Sequence, residues 1–244
     1  MKNRKHLPAY AKVDKKIDLE GLQEFCVQNG YTDYDTFNDI KYSANSKHQS
    51  FLVANEFNKE SFFKENEAEF LEGEQYKQLY LTDIDPSKLT TPKERLSETT
   101  HSIFSRSKRL DPNSPHYVPE ADELNYTLRN HHVKGVFEDI LDSFSSQVTR
   151  VRLAVLMPGM EIKPHVDYDP SYITRYHVPI FTNEDVVFGV KEKGTEIEFT
   201  MPADGSVYFL NTGRLHWVSN NSNEPRLHLI VDTHGQDDLH FTDS

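Results

Sequence analysis

The chain has 244 residues, which is enough for one large domain that buries a sizeable core. Its 39 acidic residues outnumber its 27 basic ones, and the formal net charge of -12 argues against a general grip on nucleic acid or docking on anionic membranes. The single cysteine, Cys26, excludes an intramolecular disulfide framework and suits a reducing compartment.

Neither a secretory signal nor a membrane span is expected from the sequence. Residues 1–16 are charged and lack the apolar stretch of a signal peptide, and no apolar run approaches the length of a membrane span. We therefore predict a soluble, cytoplasmic protein with no membrane partner.

Residues 1–145 are predicted to form a mixed, largely helical part that packs on a second region. Residues 17–30 space their apolar side chains as a helix does, and Gly30 suits the helix end. Segments 57–79 and 120–146 predict two further helices, the second with a broad apolar face. Polar stretches rich in Pro, Ser and Asp are predicted loops: 85–102 and 109–120.

Residues 146–235 have a different character, with short β-rich runs separated by turn signals. The runs are VTRVRLAVLM, YITRYHVPIF, VVFGV, TEIEFTM, SVYFL, LHWVS and RLHLIVD. Short strands at such regular spacing predict an antiparallel sandwich or barrel. Residues 236–244 are predicted to be a tail, and the whole chain is predicted to be one compact domain.

His165 and Asp167 form a candidate metal-binding pair. In an extended backbone, residues two apart point to the same side, so one short segment presents an imidazole and a carboxylate to a single point. Of the 12 histidines, only His165 has an aspartate two positions later. These groups belong to the ligand set of non-haem Fe(II), which a second histidine completes. A polar surface turn is the competing interpretation.

His216 and Arg226 are candidates for the missing parts of such a site. His216 follows a predicted strand and the turn NTGR, and Arg226 opens the last predicted strand. An iron enzyme that uses 2-oxoglutarate needs a distal histidine and a deep cation for the C5 carboxylate, which the rigid fork of arginine binds well. The alternatives are a histidine bonded to a backbone carbonyl and an arginine paired with a nearby carboxylate.

Arg175 and His177 alternate on one face of a predicted strand. If this face is the interior of a barrel, both side chains need an anion to meet them, because burying unpaired polar groups is costly. The alternative is an exposed face, with Tyr176 and Val178 turned into the core.

The ordered motifs PHVDYD, TRYHVPI and GSVYFLNTGRLHWVSNNSNEPRLHLIVD resemble the aspartyl/asparaginyl β-hydroxylase family of Fe(II)/2-oxoglutarate oxygenases. Within that family they are most similar to the bacterial cis-proline hydroxylases. The resemblance covers residues 148–235. It implies an α+β protein with a mostly β core, a double-stranded β-helix (a cupin-like jelly roll), and a helical N-terminal part.

The resemblance also assigns roles to individual residues: iron ligands and catalytic centre, His165, Asp167 and His216; anchor of the 2-oxoglutarate C5 carboxylate, Arg226; further co-substrate contacts, Arg175 and His177. The founding aspartyl hydroxylases have no carboxylate at the position of Asp167 and bind iron with two histidines. This chain has the carboxylate, which sides it with the free-amino-acid branch of the family.

The activity implied by the resemblance is that of an Fe(II)- and 2-oxoglutarate-dependent dioxygenase. It would consume O2, release succinate and CO2, and hydroxylate an unactivated C–H bond of an amino acid or another small molecule. Two alternatives stay open: a hydroxylase of Asp, Asn or Pro side chains in a peptide or protein, and a non-catalytic β-barrel binding module. Nucleic acid is not an expected substrate, and the sequence does not determine the oligomeric state.

Several residues near the candidate ligands have open or structural interpretations. Tyr168, Asp169 and Tyr172 lie in a predicted loop and are candidates for substrate contact, although a solvated carboxylate is the preferred interpretation of Asp169. Trp217 should point away from the neighbouring ligand and pack in the core. His228 is expected either near the co-substrate or as a satisfied core histidine.

Overall fold

The computed structural model describes residues 1–39, 76–85 and 122–242. Two α-helices lie in these residues, α1 (Leu19–Gln28) and α2 (Val136–Asp142), together with short 3-10 helices. The strands of the described residues are β1 (Tyr10–Lys16), β2 (Asn38–Asp39), β3 (Tyr76–Tyr80), β4 (Thr82–Asp83), β5 (Leu128–Arg129), β6 (Gln147–Leu156), β7 (Glu161–His165), β8 (Thr174–Phe181), β9 (Val186–Glu192), β10 (Thr195–Phe199), β11 (Ser206–Leu210), β12 (His216–Asn220) and β13 (Arg226–His234).

Two antiparallel sheets pack against each other. The larger has the order β1-β11-β8-β13-β6-β3-β2 and the smaller has the order β10-β9-β12-β7, while β4 and β5 form a separate pair. The consecutive strands β6 to β13 divide equally between the two sheets, and the chain crosses between the sheets at every connection except β9–β10. This arrangement is a jelly roll, which confirms the predicted double-stranded β-helix.

Both faces of the larger sheet are buried. Its inner face packs against the smaller sheet in an apolar cluster that includes Leu156, Phe188 and Val218. Its outer face packs in a second cluster with side chains of α1 and α2, such as Leu22 and Phe137. Strand β8 is therefore buried along nearly its whole length, although its sequence contains arginine and histidine.

Alternate side chains of β8 point to opposite faces of the larger sheet, and both of these faces are buried. Tyr176 and Val178 pack in the outer cluster with the helices. Arg175 and His177 are buried on the opposite, inner face of the sheet. The predicted interior position of this polar pair is confirmed, and the alternative of an exposed face is wrong.

Helix α1 confirms the prediction for residues 17–30. Asp18 caps its N-terminus by accepting a hydrogen bond from the backbone N–H of Gly21 at 3.1 Å. Leu22 and Cys26 lie one turn apart and are fully buried. Burial raises the pKa of the Cys26 thiol to about 12, so this cysteine packs in the core as an unreactive side chain.

The helix predicted for residues 57–79 is wrong at its C-terminal end. Tyr76–Tyr80 forms strand β3, which pairs with β6 over all five residues. Pairing with a buried strand outweighs the local helical preference of this stretch. The remainder of that helix and the predicted loops lie outside the described residues: 57–75, 86–102 and 109–120.

The long helix predicted for residues 120–146 is also wrong. The described part of this segment contains a 3-10 helix at Glu123–Asn125, strand β5 and the short helix α2. Gly135 precedes α2 with a φ of 54°, a left-handed conformation that a continuous helix does not accommodate. Within α2, the apolar periodicity buries Phe137, Ile140 and Leu141.

The described residues of the N-terminal part contribute strands to the larger sheet. Strand β1 pairs with β11 and β3 pairs with β6, so the jelly-roll sheet is extended on both sides. Phe241 of the predicted tail returns to β1 and forms a bridge with Val13. The division of the chain at residue 145 stays a prediction.

Among the helices of the described residues, none combines the length and the apolar character needed to cross a membrane.

Candidate metal centre

Two of the predicted metal ligands lie opposite each other in the smaller sheet. His165 ends β7 and His216 begins β12, and the antiparallel register pairs these two residues directly. Their side chains therefore share one face of the sheet, and their ring centroids lie 4.2 Å apart. Strand pairing brings together two histidines that are far apart in the sequence.

Asp167 joins the two histidines from the loop after β7. Its backbone N–H donates to the carbonyl oxygen of Thr212 at 2.8 Å, which ties this loop to the turn before β12. Its Oδ1 lies 3.9 Å from Nε2 of His165, and its Oδ2 lies 3.9 Å from Nε2 of His216. One donor atom from each of the three residues lies within 4.8 Å of the others, so together they could hold one metal ion.

Backbone carbonyls select the tautomer of each histidine. Nδ1 of His165 lies 2.8 Å from the carbonyl oxygen of Lys163, and Nδ1 of His216 lies 2.9 Å from that of Arg214. Because a carbonyl oxygen only accepts hydrogen bonds, each Nδ1 donates and each Nε2 keeps its lone pair. The free lone pairs are on the nitrogens that face Asp167, as metal coordination requires.

Burial favours the neutral form of His216. Desolvation, followed by the neighbouring His165, lowers the pKa of His216 from 6.5 to about 3. A neutral imidazole is the form that binds a metal. Two imidazoles and one carboxylate form the facial donor set of non-haem Fe(II) oxygenases, so these residues fit Fe(II). Within the described ranges, this is the one group of three or more potential ligands.

Arg226 is a buried cation whose donors are not all used. Its side chain is 2% exposed, and neither Nε nor Nη2 has a hydrogen-bond partner among the described residues. Desolvation lowers its pKa to about 10, so it stays charged at neutral pH. Its guanidinium carbon lies 5.7 Å from the ring centroid of Phe188. A buried guanidinium with two free donors is suited to binding a carboxylate.

The strand pairing in the smaller sheet shows how far Phe188, which contacts Arg226, lies along the sheet from the predicted metal ligand His216. Val190 of β9 pairs with His216, and Phe188, two residues along the same strand, pairs with Val218. Phe188, whose ring lies against Arg226, is therefore about 7 Å along β9 from Val190, the residue opposite His216.

His177 and His228 form a second histidine pair beside Arg226. Their Nδ1 atoms lie 3.4 Å apart, and neither Nε2 has a hydrogen-bond partner among the described residues. Burial, followed by the positive charge of Arg226, lowers both pKa values well below 6.5. Both rings also pack against Phe188. The pair is neutral and has ring nitrogens available for a ligand near Arg226.

Arg175 contacts the predicted metal ligand Asp167 and two further carboxylates. Its Nη1 donates a hydrogen bond to Oδ2 of Asp167. Its Nε and Nη2 donate to the two oxygens of Asp232 at 2.7 and 3.1 Å, and Nη2 also donates to Glu123 at 3.2 Å. Every nitrogen of this guanidinium is therefore bonded to a carboxylate. The predicted contact of Arg175 with the co-substrate stays a prediction.

Two partners of Arg175, Asp232 and Glu123, were not predicted from the sequence. Asp232 is fully buried near the end of β13 and also accepts a hydrogen bond from Nη1 of Arg152 at 2.8 Å. A signal for it existed, because Asp232 lies an even number of residues after Arg226 on one strand and therefore shares its inward face. No comparable signal existed for Glu123, which lies in a segment predicted to be helical.

The loop after Asp167 is held by its own polar residues. Asp169 accepts hydrogen bonds from the backbone N–H and the hydroxyl of Ser171 at 3.0 and 2.8 Å. The rings of Tyr168 and Tyr172 lie 5.2 Å apart, and the hydroxyl of Tyr172 donates to Asp122 at 2.5 Å. These contacts order the loop next to the candidate metal site. A role in substrate binding stays a prediction for this loop.

Trp217 points away from the candidate metal ligands, as predicted, but its expected place in the core is wrong. The side chain is half-buried and lies over Gly189, its pairing partner on β9, on the outer face of the smaller sheet. A Cβ atom at residue 189 would lie 2.0 Å from the indole, so glycine at this position makes room for the ring.

The metal-free protein is expected to lose stability as the pH falls below about 6.5. Above that pH the buried pair His177 and His228 is neutral in both the folded and the unfolded chain, so it has no effect. Below it, the unfolded chain binds protons that the folded protein excludes, which lowers the free energy of unfolding by about 1.4 kcal/mol per pH unit for each histidine. Urea titrations at pH 7.0 and 5.5 measure this slope. An unchanged slope in a His228→Gln variant would contradict the assignment.

Comparison with known proteins gives one family. Residues 53–235 match the family model described as Aspartyl/Asparaginyl beta-hydroxylase. None of the curated proteins compared with the chain gives a match. Among solved structures, the chain is similar to TT1209 from Thermus thermophilus, with 29% identity over 37% of this chain and 76% of that chain and a TM-score of 0.27.

Two other solved structures are similar at lower identity. One is an oxidoreductase of the 2OG-Fe(II) oxygenase family from Burkholderia pseudomallei, with 13% identity over 69% of this chain and 73% of that chain and a TM-score of 0.36. The other is a cupin domain from Bordetella pertussis Tohama I, with 17% identity over 38% of this chain and 88% of that chain and a TM-score of 0.29.

Proposed function

Because the chain belongs to the aspartyl/asparaginyl β-hydroxylase family and is an oxygenase, we propose that it uses Fe(II), 2-oxoglutarate and O2 to hydroxylate an unactivated C–H bond. The substrate we propose is an amino acid or another small molecule. The metal ligands are His165, Asp167 and His216, whose donor atoms converge and whose chemistry fits Fe(II).

The observation that carries this proposal is the state of Arg226. Its charge is buried, and two of its donor nitrogens have no partner in the described part of the chain. An arginine in this state is destabilising unless an anion joins it. The C5 carboxylate of 2-oxoglutarate is such an anion. In the neutral pair His177 and His228, whose Nδ1 atoms share one hydrogen bond, the one Nε2 that carries a proton is available to donate a further hydrogen bond to it.

The side chains of this site bind and orient the reactants. Bound iron would supply the oxidising chemistry that couples decarboxylation of 2-oxoglutarate to C–H hydroxylation, with succinate and CO2 as products. Arg226 fixes the far end of the co-substrate, while the carbonyls of Lys163 and Arg214 hold the two ligand imidazoles in the tautomer that offers Nε2. Phe188 and its apolar neighbours exclude water around the buried arginine.

Addition of Fe(II) and 2-oxoglutarate without oxygen is expected to produce the weak visible absorption band of their chelate in the protein. The band should be absent in a His216→Ala variant, since one of the three ligands is lost. A non-catalytic binding module predicts no band in either protein. Absence of the band in the parent chain, at concentrations of both reactants that saturate related enzymes, would refute the proposed function.

A succinate-release screen identifies the substrate class. Free amino acids form one set and short peptides that contain Asp, Asn or Pro form the other. Turnover with free amino acids alone supports the small-molecule proposal, whereas turnover with peptides alone replaces it by peptide hydroxylation. We also propose a cytoplasmic location, which rests on the single, buried Cys26 and the composition of the chain.

A further inference from the structure

Six charged side chains form a cluster around the carboxylate of the proposed metal centre: Arg150, Arg152, Arg175, Glu123, Asp167 and Asp232. Ion pairs connect all of them. Their three positive and three negative formal charges balance, although most of the cluster is buried. A balanced cluster of this kind keeps its charges out of water without leaving one of them uncompensated.

Arg175 is the centre of the cluster. It offers one side of its guanidinium, Nε and Nη2, to the two oxygens of Asp232, and the second proton of Nη2 to Glu123. Only Nη1 remains for Asp167. A guanidinium stays protonated in proteins, and Arg175 faces three carboxylates, so it carries a positive charge at every working pH.

A charged arginine on a metal ligand has two opposed effects. Its hydrogen bond to Oδ2 holds Asp167 in one orientation, which favours metal binding. Its positive charge also offsets the negative charge that attracts the metal, and this second effect is strong where the surroundings are poorly hydrated. Asp232 and Glu123 bind the same guanidinium and offset part of its positive charge, so the arginine cancels less of the negative charge that attracts the metal. The hydrogen bond from Arg175 that orients Asp167 is unchanged.

We propose that Asp232 and Glu123 are positioning residues of the metal centre, because they share Arg175 with Asp167 and so let this arginine orient the ligand without neutralising it. The inference deepens the proposed function and rests on it. Neither residue belongs to the group of convergent metal ligands, so each acts through Arg175. Oδ2 of Asp167 accepts the hydrogen bond from Arg175, and Oδ1 lies 3.9 Å from Nε2 of His165.

The inference predicts a specific loss of metal affinity in an Asp232→Asn variant. The substitution keeps the shape of the side chain but removes one of the carboxylates that share Arg175, so more of the arginine charge acts on Asp167. We expect the affinity for Mn(II), a redox-stable substitute for Fe(II), to fall about 10- to 100-fold, the usual effect of losing an outer partner of a metal ligand. Calorimetric titration of the metal-free protein measures it.

A double-mutant cycle separates this role from a general structural one. In an Arg175→Met background the connection to Asp167 is gone, so Asp232→Asn should change the Mn(II) affinity by less than about threefold. The matched control is Asp204→Asn, which removes a carboxylate paired with Lys12 at the surface, at 2.8 Å, and should leave the affinity unchanged. Equal losses in both backgrounds, or no loss in either, would overturn the proposal.

The fully buried Asp232 makes folding of its variant the first measurement. Circular dichroism compares each variant with the parent chain, and Glu123→Gln takes the place of Asp232→Asn in the same cycle if the latter does not fold. A loss of Mn(II) affinity that occurs in the parent chain but not in the Arg175→Met background then supports the proposal. Equal losses in both backgrounds, or no loss in either, overturn it. A parent chain that fails to bind Mn(II) would contradict the proposed function itself, which distinguishes the two failures.

Discussion

An Arg226→Met variant is expected to resist unfolding better than the parent chain while it loses its affinity for 2-oxoglutarate. Desolvation lowers the pKa of this buried arginine from 12.5 to about 10, which at about 1.4 kcal/mol per pKa unit corresponds to a penalty of about 3 to 4 kcal/mol on the folded state. Methionine fills a similar volume without a charge, so the penalty disappears. Urea titration without co-substrate measures the gain.

The same variant gains stability but loses affinity for 2-oxoglutarate, and this loss has a separate cause. Removing one partner of a buried, hydrogen-bonded charge pair costs at least about 2 kcal/mol, which is about 30-fold in affinity. We therefore expect the 2-oxoglutarate concentration needed for half-maximal formation of the visible chelate band to rise by at least that factor. An Arg226→Lys variant keeps the charge but loses the two-pronged geometry, so its requirement should also rise sharply.

Arg152→Met is the matched control for the effect on stability. Arg152 is equally buried but is paired with Asp232 at 2.8 Å, so its removal takes a partner from a buried carboxylate and should destabilise the protein. If Arg226→Met raises the free energy of unfolding and Arg152→Met lowers it, the lack of a paired anion at Arg226, and not the size of the side chain, determines the change in stability. Destabilisation by Arg226→Met would contradict the interpretation of Arg226 as an unpaired cation.

Asp167→Ala is expected to abolish metal-dependent turnover. The variant loses one of three converging donors, and the effect on metal affinity and activity should exceed the ~100-fold that loss of an outer partner causes. The fold should persist, because Arg175 keeps its bonds to Asp232 and Glu123. Calorimetric titration with Mn(II) and succinate release with the substrate found in the screen measure the two losses.

Asp169→Ala is the control in the same loop. Asp169 accepts hydrogen bonds from Ser171 and lies outside the group of metal ligands, so its loss should leave metal affinity unchanged. Full activity of Asp167→Ala would instead mean that two histidines suffice here, as in the founding aspartyl hydroxylases.

Local geometry explains which parts of the site were predictable. His165 and Asp167 lie two residues apart, and the side-chain period of an extended chain places both donors on one side whatever the rest of the fold does. Short β-rich runs separated by turn residues likewise predict an antiparallel core, which the jelly roll confirms. Arg226 was recognisable because it opens a strand that continues with an alternating inward face.

The same local reasoning was wrong where pairing with distant residues decides the structure. Tyr76–Tyr80 has a sequence compatible with a helix, but it completes the hydrogen bonding of β6 as a strand. The segment around Gly135 has apolar periodicity over a long stretch, yet the backbone of this glycine limits the helix to α2.

The amino-acid sequence by itself determined the placement of His165 and Asp167 on one side of the chain and the strand pattern that presents them, because both depend on neighbours along the chain. The pairing of β7 with β12 adds His216 to the candidate ligands. Only the tertiary structure decided what surrounds those donors. The partners of Arg175 are separated from it by 8, 52 and 57 residues, and their contacts exist only after the sheets and the 3-10 helix assemble. Electrostatic balance in a buried site depends on distances in space, which sequence spacing does not encode.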